Sequence, residues 1–181
     1  SFEIPLIPYC DDKNYKPDDI IIEVENKENA INFLNLKYTR KELCILKQPR
    51  LGNCLFESLA CSFKKTKQSH KQMRKELVDY IGDNFERFEN YLVIDNAGTD
   101  NIQLVRHLKK LYDTDNLDLI SQNFGKLKSE EKVKIYKQVM GNTKVFGTNL
   151  EIYAFAQRFG INVVVINENQ LTKTSTDLIN G

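Results

Sequence analysis

Four times between residues 69 and 151 a short polar or acidic residue is followed three places later by Glu or Gln. The instances are Ser69-x-x-Gln72, Asp83-x-x-Glu86, Asp100-x-x-Gln103 and Thr148-x-x-Glu151. This is capping-box spacing: each side chain satisfies a backbone N–H that the helix start leaves free. Ser129-Glu130-Glu131 adds a fifth start, with acids near the positive end of the helix. Together they predict helices over roughly 70–82, 84–92, 101–112, 130–140 and 149–159. The middle of the chain must therefore fold as packed helices.

Different signals flank this body. Gly160 stops the last helix, and Ile161 to Ile166 is nearly continuous and β-branched, the pattern of a buried strand. Upstream, Pro5, Pro8 and Pro17 predict an extended lead-in over 1–19. Ile20 to Val24 reads as a short strand, Asn26 to Lys37 as a helix, and Leu43 to Leu46 as a strand feeding a turn at Arg50-Leu51-Gly52-Asn53. The expected fold class is α/β, an α+β layered arrangement with a small central sheet flanked by helices. Residues 20–181 are expected to form one domain.

Composition narrows the function classes. At 181 residues the chain can bury a real core. Hydrophobic residues at 41% and charged residues at 28% exclude a disordered reading. A formal net charge of +1 gives no bulk attraction to nucleic acid or to a membrane surface. No apolar run is long enough to span a bilayer, and the first residues lack the pattern of a signal peptide. The cysteines, Cys10, Cys44, Cys54 and Cys61, are irregularly spaced, and only two histidines accompany them. That disfavours zinc and, in a chain of this size, disulfides. We read the thiols as reduced and the setting as intracellular, cytoplasmic in the first instance.

The stretch Gly52-Asn53-Cys54-Leu55-Phe56 carries chemistry. A glycine turn delivers a cysteine to the first turn of a helix whose apolar residues, Leu55, Leu59 and Phe63, recur every fourth place. A helix N-terminus lowers a thiol's pKa, and the thiolate is the nucleophile. Backbone N–H groups of such a turn can converge on a developing oxyanion. On spacing alone, a small buried cysteine starting a core helix is the better reading.

The wider pattern resembles the ovarian-tumour (OTU) family of cysteine proteases, which are deubiquitinases. Gly52-Asn53-Cys54-Leu55-Phe56 is similar to that family's Asp-Gly-Asn-Cys-Leu-Phe motif. Phe146-Gly147-Thr148-Asn149-Leu150-Glu151-Ile152, followed by a helix and the Ile161–Ile166 run, resembles its Trp-Gly-Gly-x-x-Glu-Leu helix and core strand. The resemblance covers roughly residues 43–168. It implies Cys54 as nucleophile and the backbone of Leu51, Gly52 and Asn53 as the oxyanion turn. It implies Phe146, Gly147 and Glu151 as supporting positions, Glu151 also being explained as the cap partner of Thr148. No metal or organic cofactor is implied. The implied partners are ubiquitin or a ubiquitin-like modifier and proteins conjugated to it.

Two positions depart from the family pattern. Leu51 stands where the family has Asp. The family's catalytic His, on a strand after the Ile161–Ile166 equivalent, has no counterpart, since no His follows His107. His70 and His107 both read as solvated helix residues rather than bases. We expect the His-bearing strand to lie beyond Gly181. The alternative is an OTU-like ubiquitin-binding module that has lost its catalytic residues.

Overall fold

A computed structural model describes residues 2–5, 48, 51–63, 67–94, 101–168 and 173–179. Seven α-helices dominate them: α1 (Cys54–Ser62), α2 (His70–Asp83), α3 (Phe85–Phe88), α4 (Ile102–Tyr112), α5 (Leu117–Gly125), α6 (Ser129–Met140) and α7 (Asn149–Phe159). A 3-10 turn, Glu89–Tyr91, follows α3.

The predicted starts of α2 and α7 are present as capping boxes. Ser69 Oγ accepts from Gln72 N at 3.3 Å while Gln72 Oε1 accepts from Ser69 N at 2.9 Å. Glu151 Oε1 accepts from Thr148 N at 2.7 Å. At α6 the chain enters from Lys128, whose N–H donates to Glu131 Oε2 at 3.3 Å, so the cap lies one residue before Ser129. Asp83 is not a cap. It ends α2, and α3 starts from Asn84 without a side-chain cap. α4 likewise starts from Asn101, with no side-chain cap. The single helix expected over 84–92 is α3 plus the 3-10 turn, with Phe85 and Phe88 buried three residues apart.

The core lies among these helices. Phe56, Met73, Leu77, Ile81, Phe88, Leu108 and Ile120 have essentially no exposed surface. Phe63 ties α1 to α7 through a T-shaped contact with Phe155 at 5.6 Å and a tilted one with Phe159 at 4.7 Å.

The expected central sheet is corrected by this arrangement. Among the described residues the core cluster is drawn entirely from helices and the segments joining them, with Val163 packing against it from outside. Three strands, β1 (Phe2–Pro5), β2 (Val163–Glu168) and β3 (Lys173–Ile179), pair antiparallel in the order β1-β3-β2. Their register sets Phe2 opposite Thr176 and Val163 opposite Ile179. The described part is a helical body and not a layered α/β fold built on a central sheet. The physical reason is that the apolar stripes of the described helices pack against one another and make up the core themselves. The β-branched run accordingly divides: Ile161 is buried in the helical core, whereas Val163 and Val165 are half-buried.

Part of the proline-marked lead-in is thus strand β1, and part of the polar tail is β3. The expected strands at 20–24 and 43–46, the helix at 26–37, Cys10 and Cys44 lie outside the described residues.

Candidate active site

Cys54 is the first residue of α1, a free thiol of intermediate exposure. Its backbone N–H donates to the Leu51 carbonyl at 3.0 Å, closing a four-residue turn. Asn53 has φ −92° and ψ 0°, the third position of a type I turn. The turn's own hydrogen bond consumes the Cys54 N–H. The N–H groups of Gly52 and Asn53 take no part in that bond.

Gly52 is required by close approach. A Cβ there would sit 2.2 Å from the Lys144 carbonyl oxygen and 2.4 Å from its carbon. Gly147 repeats the device on the other side: its Cβ would meet Leu55 Cδ2 at 2.3 Å. The two segments singled out in the sequence, 51–55 and 146–151, are therefore packed together although about ninety residues apart. Phe146 is half-exposed beside them. It lines a groove of about 640 Å³ with Leu55, Ile102, Arg106, Gly147 and Glu151. Leu51 projects outward, 68% exposed, and offers no carboxylate to its own turn.

Arg74 joins the two segments, and the sequence reading missed it. It lies on the apolar face of α2 with Met73, Leu77, Val78 and Ile81, and it is 2% exposed. Nη2 donates to the Gly52 carbonyl at 3.0 Å, to Asn53 Oδ1 at 3.1 Å and to the Val145 carbonyl at 2.7 Å, with the Thr143 carbonyl at 3.4 Å. Nη1 donates to the Met140 carbonyl at 2.8 Å. The guanidinium carbon lies 4.1 Å from the centre of the Phe56 ring, a cation–π contact. Burial lowers the Arg74 pKa, and the acidic groups Glu151, Tyr136 and Cys54 act in the opposite direction. The available signal was a charged residue on an otherwise apolar stripe.

Glu151 is fully buried. Its carboxyl accepts from Thr148 N, from Thr148 Oγ1 at 3.0 Å and from Tyr136 Oη at 3.0 Å. Burial raises its pKa to about 7 against the pull of those hydrogen bonds and of the Arg74 charge. The same burial and the neighbouring carboxyl push the Tyr136 phenol well above its ordinary range.

Neither imidazole is hydrogen-bonded to Cys54. His70 Nε2 faces Glu57 Oε1 at 3.9 Å, and His107 lies half-buried on α4. Cys61, on the same helix, is also of intermediate exposure. Among the described residues no three His, Cys, Asp or Glu side chains are grouped to hold a metal ion, and no helix is long and apolar enough to cross a membrane.

A free thiol on a helix's first turn, beside a turn whose own hydrogen bond leaves out the Gly52 and Asn53 N–H groups, supplies the nucleophile and candidate oxyanion donors of a thiol-protease centre. The model of the OTU-like cysteine protease family matches residues 49–180, and the chain belongs to that family. No curated protein matches the chain.

Proposed function

We propose that this protein is a deubiquitinase: a thiol-dependent isopeptidase that releases ubiquitin or a ubiquitin-like modifier from lysine side chains inside the cell. The observation that carries the reading is Cys54 on the first turn of α1, immediately after a turn held from behind by a buried cation, in a chain of the OTU-like family. Cys54 Sγ attacks the carbonyl carbon of the modifier's C-terminal glycine. The carbonyl oxygen gathers negative charge, and the Gly52 and Asn53 N–H groups are the donors for it. The C–N bond breaks, the lysine amine leaves with a proton, and water then hydrolyses the thioester. The mechanism needs an imidazole to take the thiol proton and give it to the amine, and neither His70 nor His107 is hydrogen-bonded to Cys54.

Leu51 supports a second reading. An exposed apolar side chain replaces the family's carboxylate, as expected of a non-catalytic module that binds ubiquitin without cleaving it. One experiment separates the two. A ubiquitin probe with a C-terminal thiol-reactive group is incubated with the natural full-length protein and with Cys54→Ala. An adduct in the first and none in the second supports the enzyme. No adduct with folded wild type, together with measurable binding of free ubiquitin, supports the module.

A further inference from the structure

We propose that Arg74 is a positioning residue for catalysis, the group that aims the backbone N–H donors of the Leu51–Cys54 turn. The proposal rests on the reading of that turn as the oxyanion site.

The argument starts from the rigid peptide plane. The Gly52 carbonyl and the Asn53 N–H belong to one peptide unit, and no described peptide bond is cis. In a trans unit the C=O and N–H point in opposite directions. Arg74 Nη2 holds the Gly52 oxygen at 3.0 Å from within the protein. The Asn53 N–H, at the opposite edge of that plane, therefore points away from the guanidinium. The same nitrogen holds Asn53 Oδ1, which fixes the next residue of the turn.

The clamp needs an external anchor, and the 140–145 segment supplies it. The Met140 and Val145 carbonyls take the shortest bonds from Nη1 and Nη2. The guanidinium is planar, is stacked on Phe56 and is excluded from water, so its donor directions are fixed before substrate arrives. A lysine at 74 keeps the charge but loses the fork, and no single ammonium reproduces that set of bonds. Gly52 belongs to the same device, because a side chain at 52 would drive the turn away from Lys144 and out of Arg74's reach.

The test uses Arg74→Lys in the natural full-length protein, with three readouts. Hydrolysis of a ubiquitin C-terminal fluorogenic amide forms an oxyanion. Alkylation of Cys54 by iodoacetamide does not, since it is a displacement at saturated carbon. Hydrogen exchange at the Cys54 amide, which bonds the Leu51 carbonyl, reports the turn with no substrate present. The expected result is kcat lower by about 10²-fold or more with KM within about twofold, alkylation within about twofold of wild type, and Cys54 amide exchange faster by about tenfold with Leu77 and Val78 unchanged. Equal losses in hydrolysis and alkylation, or a folded variant with kcat within about threefold of wild type, overturn the proposal. If wild type cleaves no ubiquitin amide, the functional reading fails and amide exchange alone decides the clamp. Should Arg74→Lys not fold, Asn53→Ala removes one arm of the clamp at the surface. It is expected to speed Cys54 amide exchange, and wild-type exchange in that variant rejects the clamp.

Discussion

Glu151 has no exposed surface, yet three donors and a nearby guanidinium meet its carboxyl. With a pKa of about 7 in the folded chain against an ordinary 4.5, the folded state binds this proton more tightly than the unfolded state does. Stability is therefore greatest where the carboxyl is protonated in both states, and it falls as pH rises from about 4.5 through 7. The loss is on the order of 3 kcal/mol from this one group. Glu151→Gln keeps an acceptor for the Thr148 N–H and removes the charge. The wild-type-minus-variant difference in Tm should shrink steadily from pH 5 to pH 8, and parallel curves would contradict the assignment. At Gly52 the relevant force is contact repulsion. Gly52→Ala should destabilise by about 1–3 kcal/mol, read as a lower denaturant midpoint, because the added methyl meets backbone rather than a movable side-chain end. Cys54, Gly52 and Glu151 were legible in the sequence because a motif and a cap spacing mark them. Arg74 is marked only by its place on an apolar stripe, and its partners are mostly carbonyl oxygens, which leave no trace in residue identity.

At the scale of elements, the caps that were legible are those whose box is complete. Ser69 with Gln72 and Thr148 with Glu151 each satisfy two N–H groups, and α2 and α7 begin where those pairs place them. Helix α5 was missed. Its cap, Asn116, accepts from Leu119 N at 3.2 Å without a Glu or Gln to return the bond. Its Ser121, Gln122 and Asn123 hide the stripe that Ile120 and Phe124 bury. Asn116→Ala should cost about 1 kcal/mol, measurable as a small drop in midpoint with unchanged slope. The sheet was misjudged for a related reason. Periodicity shows that Ile161 to Ile166 is extended, but not whether it lies under helices or beside them, and the fate of Ile161 differs from that of its neighbours.

At the scale of the molecule, α1 is held from two sides. Phe63 and the Phe155–Phe159 pair secure its C-terminal end, and Arg74 secures its N-terminal turn. Phe63→Ala should cost about 3–5 kcal/mol and lower the thermal midpoint without splitting the transition, since the core cluster spans every helix around it. The two clamps also differ in reach. The Arg74 bonds to Met140 and Val145 span 66 and 71 residues of chain. A ribosome releases the chain from its N-terminal end, so Cys54 and Arg74 leave the exit tunnel long before Val145 does. Throughout that interval the guanidinium has no anchor and the turn at 51–54 has no fixed aim. On the proposed reading the turn is thus synthesised early and aimed late, and a nascent chain bearing Cys54 lacks placed oxyanion donors until all but the last of the described helices have been made.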